Sequence, residues 1–154
     1  MCENVYDMII VGSGPAGLTA GIYGKRAGLK VVILESGFIQ GGQIVNTYEV
    51  DNYPGLPGID GYTLGEKFRE HAEQLGAKFE NVEVDHIKQT AEGFTVFCKE
   101  GEPLQSRTIL CASGTSYRRL DVPGGTLQGV SYCATCDGAF YKDKTVAVIG
   151  GGDT

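Results

Sequence analysis

No stretch of the sequence approaches the roughly 20 consecutive apolar residues that a membrane-spanning helix needs, so no membrane partner is expected. Positive charge is also scarce. The 13 Lys and Arg are outnumbered by 19 Asp and Glu, leaving a net charge of −6. That balance repels phosphate backbones and anionic surfaces, so nucleic acid is not an expected partner. The opening Met1-Cys2-Glu3-Asn4-Val5-Tyr6-Asp7 has neither the basic start nor the apolar stretch of a secretory signal, and a cytoplasmic location is expected. Cysteines number only five, namely Cys2, Cys98, Cys111, Cys133 and Cys136. An odd count in a reducing compartment argues against a structural disulfide framework. Cys98 and Cys111 read as small buried hydrophobes, and Cys2 as an exposed terminal thiol. No Ser-His-Asp grouping and no paired catalytic carboxylates are visible. His71 is expected on the exposed side of a helix and His86 at a strand border, both solvated and without a carboxylate partner.

Glycine, in contrast, is abundant, with 24 residues, roughly twice the usual share of about 7%. These glycines follow no fixed period, which excludes collagen-like and repeat architectures. They gather where the chain must turn sharply or lie close to something. With 42% hydrophobic and 21% charged residues, a packed core is expected.

The run Tyr6 to Val11 reads as a buried strand leading into a glycine turn, followed by a helix-compatible Leu18 to Ala27 and a second strand, Lys30 to Leu34, closed by Glu35. That is one βαβ unit with a parallel pair of strands. Gly37 to Gly61 is a long loop of the kind that is usually functional. Thr63 to Leu75 reads as an amphipathic helix, with Thr63 and Glu66 as a capping box and Leu64, Phe68, Ala72 and Leu75 on one face. Strands are expected at Lys78 to Phe79, Val82 to Ile87, Phe94 to Cys98 and Arg107 to Ala112, the last one buried. The class is therefore α/β, with an antiparallel meander inserted into a parallel framework. Thr145 to Ile149 reads as another buried strand opening onto Gly150-Gly151-Gly152-Asp153-Thr154, the start of a second βαβ unit. The boundary between the two domains is expected near residues 140–144, giving 1–140 and 141–154. The sequence is expected to break off just inside the second domain, and the 154-residue chain alone is expected to be inactive.

Three motifs carry chemistry. Gly12-Ser13-Gly14-Pro15-Ala16-Gly17 matches GxGxxG between strand and helix. The first glycine makes the tight turn, the second clears space for a diphosphate, and the third lets the helix pack on the sheet. The helix start favours the negative diphosphate, and Glu35 stands where ribose hydroxyls arrive. Cys133-Ala134-Thr135-Cys136 is a CxxC. A structural zinc site needs four ligands, and no second CxxC or spaced His pair is present, so no metal is expected. A redox pair needs one attacking and one resolving sulfur, which this spacing supplies. Asp137 is either a proton-moving carboxyl or an ordinary turn aspartate before Gly138. In the third motif, Gly150 and Gly152 are candidates for a second nucleotide contact.

Taken with Gly41-Gly42-Gln43, Asn52-Tyr53-Pro54-Gly55, Ala112-Ser113-Gly114 and Tyr132-Cys133-Ala134-Thr135-Cys136-Asp137-Gly138, these motifs resemble the bacterial-type, low-molecular-weight thioredoxin reductases over nearly the whole chain. The resemblance implies a Rossmann-like FAD-binding domain, and a second domain holding NADPH and the redox CxxC. It implies Ser13, Pro15 and Ala16 along the FAD diphosphate, Glu35 on the adenosine ribose, and Gly42, Gln43 and Asn52 along the flavin. Val84 would border the adenine, and Gly114 would follow the strand closing the site. It implies that Cys136 faces the flavin, that Cys133 attacks the disulfide of a thioredoxin-like partner, that Asp137 acts as acid–base group, and that the enzyme is a homodimer. Ferredoxin-linked flavin reductases of the same fold carry the same CxxC and form the second reading, with a non-catalytic FAD-binding fragment as the third.

Overall fold

β-Branched runs become strands only where neighbours complete their hydrogen bonds, and the first two runs find each other directly. The computed structural model describes residues 5–37 and 41–151, with side chains throughout except those of Thr135, Cys136 and Ala139. Strand β1 (Val5–Val11) leads through the glycine turn into helix α1 (Pro15–Arg26) and back to β2 (Val31–Glu35). The pair is parallel, with Ile9 beside Val32. Helix α1 starts three residues before the expected Leu18 because Pro15 sits in its first turn, where a missing N–H costs nothing.

The long loop contains a short 3-10 turn (Gly42–Asn46) and an isolated bridge between Val50 and Ile59. Helix α2 follows (Gly61–Gln74), with the Asp60 carboxylate accepting from the Thr63 N–H at 2.9 Å. This corrects the expected Thr63–Glu66 capping box: the cap lies three residues earlier. Gly61 explains why the helix can begin there, since a Cβ at this position would sit 1.7 Å from the Ile44 carbonyl oxygen. Only glycine lets the first turn of α2 rest on the 3-10 turn.

Strands β3 (Lys78–Asn81), β4 (Val84–Thr90), β5 (Gly93–Cys98) and β6 (Leu104–Cys111) complete a sheet of order β3-β2-β1-β6-β5-β4. β3, β2, β1 and β6 run parallel, while β6, β5 and β4 form the antiparallel meander. Because side chains alternate along a strand, β1 and β2 feed two cores. Ile10, Val31 and Ile33 pack with Leu18 and Ile22 of α1 and Ala72 of α2 on one face. Tyr6, Ile9, Val32 and Leu34 pack with Val96 of the meander on the other.

Two expected buried strands turn out otherwise. β6 starts at Leu104 and is only half-buried along its second half, where Ile109 and Leu110 pack against the cores while Thr108 and Cys111 are exposed. It pairs with β1 over its length, but with β5 only from Leu104 to Ser106, so residues 107–111 form an edge among the described residues. Cys111 is therefore exposed rather than buried. Residues 145–149 form no strand, and Val146, Val148 and Ile149 are exposed, because no described segment pairs with them.

The chain divides into two compact units, Met1–Gly114 and Thr115–Thr154. This division falls well before residues 140–144, the boundary expected from the second glycine turn, and it puts the CxxC in the second unit. That unit contains a four-residue helix α3 (Ala134–Asp137) and a 3-10 turn (Gly138–Tyr141). Its other fixed point is Tyr132, whose hydroxyl accepts from the Leu120 N–H at 3.0 Å and donates to the Gly125 carbonyl at 3.2 Å. The Tyr132 ring stacks on Tyr117, with centroids 4.6 Å apart. Among the described residues no helix is long and apolar enough to cross a membrane.

Candidate functional site

The glycine turn is built by close approach of backbones. Gly12 has φ +104°, and a Cβ there would lie 2.3 Å from the Ala112 carbonyl oxygen, so the turn fits against the end of β6 only without a side chain. A Cβ on Gly17 would lie 1.9 Å from the Gly12 carbonyl oxygen, which fixes how closely α1 meets the turn. Gly14 caps α1 without any side-chain hydrogen bond, leaving the N–H groups of the first turn to a ligand or solvent. The Gly41-Gly42 backbone crosses above. The Gly41 N–H donates to the Ser13 carbonyl at 3.0 Å, and a Cβ on Gly42 would lie 2.9 Å from the Gly14 Cα. Together with the dipole of α1, this side-chain-free cradle fits a diphosphate.

Glu35, at the end of β2, is clasped to the same turn. Its Oε2 accepts from both the Ser13 N–H, at 2.9 Å, and the Ser13 hydroxyl, at 2.8 Å. Its Oε1 accepts from the Gly37 N–H at 2.9 Å. Burial pushes the Glu35 carboxyl up, but hydrogen bonds from Gly37, from Ser13 and from Ser36 outweigh it and hold the group below its ordinary 4.5. The sign of the linkage follows. A depressed carboxyl contributes stability that is fully present above 4.5 and is lost as pH falls through the lower folded value. Thermal midpoints measured from pH 6 downward should therefore fall below pH 4.5, and the Glu35→Gln variant should show a shallower acid limb together with a lower midpoint at neutral pH. An unchanged acid limb in that variant would remove Glu35 from the acid response.

The structure thus brings Gly12, Ser13, Gly14, Gly17, Glu35 and Gly42 to one place, with Pro15 and Ala16 opening α1 above it. Gln43 lies in the adjoining 3-10 turn, and Asn52 lies exposed farther along the same loop. Val84 begins β4 opposite Cys98 and packs against the Val32 and Leu34 core. Gly114 follows β6 with φ +68°. Gly150 is exposed with φ +106°, and Gly152 lies outside the described residues, as does Cys2.

In the second unit, Cys133 is disulfide-bonded and stands immediately before α3. The Asp137 N–H donates back to the Cys133 carbonyl at 3.0 Å, closing the turn of the CxxC. The Asp137 carboxylate accepts from the Ser131 hydroxyl at 2.6 Å, and the same hydroxyl accepts from the Cys133 N–H at 3.3 Å. The contact of that hydroxyl with the Cys133 carbonyl, at 3.4 Å, is longer, and a single hydroxyl proton goes to the nearer, charged acceptor. Sequence reading missed Ser131; a hydroxyl residue just ahead of a helix start is the signal that points to it. The hydrogen bonds of Tyr132 tie the start of the CxxC to residues 120 and 125.

The remaining candidates fall away. Burial, and then the charge of Glu80, push the Cys98 thiol up, which makes it a poor nucleophile. His71 is exposed, as expected. His86 is exposed too, but it does have a carboxylate partner: its Nδ1 lies 2.8 Å from Asp85 Oδ2, and its ring stacks on Phe97. That pairing depends on the register of β4 against β5, which spacing along the chain does not reveal. No cluster of three or more His, Cys, Asp or Glu side chains is placed to hold a metal among the described residues.

A side-chain-free glycine turn that fits a diphosphate and a disulfide-bonded Cys133 within a CxxC point to the class of nucleotide-linked disulfide oxidoreductases. Residues 6–154 match the family model described as pyridine nucleotide-disulphide oxidoreductase, and the chain belongs to that family. Thioredoxin reductase of Bacillus subtilis (strain 168) is 42% identical over 155 residues, which cover 99% of this chain and 48% of that relative. The crystal structure of Lactococcus lactis thioredoxin reductase superposes with TM-score 0.76 at 39% identity, covering 88% of this chain and 45% of that one. A ferredoxin-flavin thioredoxin reductase from Clostridium acetobutylicum superposes with TM-score 0.67 at 32% identity, covering 89% of this chain and 48% of that one. The chain spans about half the length of these relatives.

Proposed function

We propose that this chain is the dinucleotide-binding and disulfide-bearing half of a thioredoxin-disulfide reductase that uses FAD and NADPH. The observation that carries the proposal is the disulfide-bonded Cys133 at the start of a short helix, in a chain that also builds a side-chain-free diphosphate cradle. Bound FAD supplies the passage of two electrons from a nicotinamide to a disulfide. The turn from Gly12 to Gly17 and the first N–H groups of α1 hold the diphosphate, and Glu35 takes the ribose hydroxyls. Gly42, Gln43 and Asn52 line the flavin, Val84 borders the adenine, and Gly114 closes the site. Gly150 and Gly152 begin the nicotinamide-nucleotide site. The division at residue 114 supports grouping the Cys pair with that second domain.

Once the pair is a dithiol, Cys133 as thiolate attacks one sulfur of the partner's disulfide, and the partner's other sulfur leaves. Cys136 then attacks Cys133 in the mixed disulfide, releasing the partner's second sulfur and restoring the Cys133–Cys136 bond. The two protons of the dithiol end on the partner's two sulfurs, and Asp137 is the carboxyl that moves them. The partner is a thioredoxin-like protein, and the working enzyme is a cytoplasmic homodimer.

The test is a visible absorption spectrum of the full-length protein, before and after NADPH. Flavin bands that bleach with NADPH are the expected result. Bands that ignore NADPH but bleach with reduced ferredoxin would replace the donor, as the Clostridium acetobutylicum neighbour illustrates. A colourless protein would overturn the flavin reading.

A further inference from the structure

The hydrogen bonds around α3 form a closed ring with a serine in the middle. The Cys133 N–H donates to Ser131 Oγ, the Ser131 hydroxyl donates to Asp137 Oδ2, and the Asp137 N–H donates to the Cys133 carbonyl. Ordinarily a side chain in the first turn of a helix reaches back to the cap N–H directly. Here the Ser131 hydroxyl relays the contact between the Asp137 carboxylate and the Cys133 N–H. The relay is directional: at 2.6 Å the charged acceptor holds the only hydroxyl proton, so the serine oxygen is left to accept from Cys133. One carboxylate oxygen is thereby fixed, and the other is the oxygen left to carry protons.

We infer that Ser131 is a positioning residue for disulfide exchange: it sets the Asp137 carboxylate against the backbone of Cys133, so that the acid–base group keeps one orientation relative to the Cys pair. The inference rests on the reductase reading above. Without the hydroxyl, the Asp137 carboxylate loses the donor that orients it, and the Cys133 N–H loses the Ser131 oxygen. A positioned acid–base group contributes roughly 10²–10⁴-fold to a rate, and loss of its orientation removes part of that.

The experiment is a double-mutant cycle in the full-length protein, with kcat and KM for thioredoxin as readouts and bound flavin absorption as the folding check. Ser131→Ala should lower kcat by about tenfold with KM for thioredoxin unchanged. Ser131→Thr, which keeps the hydroxyl at an exposed position, should restore most of the loss. In an Asp137→Asn background, Ser131→Ala should add less than about twofold, since a residue acting through Asp137 has nothing left to position. Wild-type kcat in Ser131→Ala, or losses that multiply in the double variant, overturns the inference while leaving the reductase reading intact. Absence of thioredoxin reduction by the wild-type protein overturns the reductase reading itself.

Discussion

Replacing Cys133 with serine in the full-length protein should abolish thioredoxin reduction while leaving the flavin bound. Serine keeps the size of the side chain, so the turn into α3, held by the Asp137 N–H and the Ser131 hydroxyl, stays closed. What is lost is the sulfur. A hydroxyl is not ionised at neutral pH and cannot form the mixed disulfide through which exchange passes. The loss is therefore complete rather than partial. Cys98 does not compensate, because burial and Glu80 push its thiol up. The cradle for the diphosphate is built from residues 12–17, 35 and 42 of the first unit, whereas the substitution lies in the second. The flavin absorption should thus match wild type, while turnover with thioredoxin falls to background. Retained turnover would sink the assignment of Cys133 as the attacking sulfur.

Gly17→Ala should be among the most damaging single-methyl changes in the first unit. The new Cβ would lie 1.9 Å from the Gly12 carbonyl oxygen, a backbone atom that cannot swing aside. Either α1 lifts from β1 or the turn opens, and each route breaks the packing of Leu18 and Ile22 against Ile10. A cost of about 3 kcal/mol or more is expected, with loss of the flavin. Gly28→Ala is the matching control. Gly28 has φ +78° but nothing within 4 Å of the added atom, so only the backbone preference counts, roughly 1 kcal/mol. Urea midpoints of the two variants separate clash from conformational preference. Equal losses would mean that the close approach of α1 and the turn is not what Gly17 provides.

Much of the first unit was legible because its signals are local. The GxGxxG turn, the two β-branched strands and the acid at the end of the second fix one βαβ unit, and β1, α1 and β2 lie where these features put them. Leu64, Phe68, Ala72 and Leu75 share the buried side of α2, as their spacing predicts. The start of α2 was misread because Asp60 and Thr63 are both good caps. The choice between them depends on Gly61 fitting under the Ile44 carbonyl, a contact between distant residues. Burial of β6 was overestimated for a similar reason. An apolar run shows that a strand can be covered, not that a neighbour covers it, and β5 leaves β6 after Ser106. The CxxC itself was plain, but the Ser131 relay depends on side-chain direction around α3, which spacing alone does not supply.

The clasp between Ser13 and Glu35 also sorts ligands by charge. A carboxylate that stays ionised, with both oxygens already engaged, offers only acceptor capacity to whatever arrives. A ribose with free hydroxyls can donate into it, whereas a ribose bearing a phosphate at that position meets like charge at short range. The first glycine turn would therefore discriminate against a 2′-phosphorylated nucleotide. On the proposed reductase reading, in which two dinucleotides of nearly the same shape are handled, this electrostatic filter would keep the electron donor out of the seat of the resident cofactor.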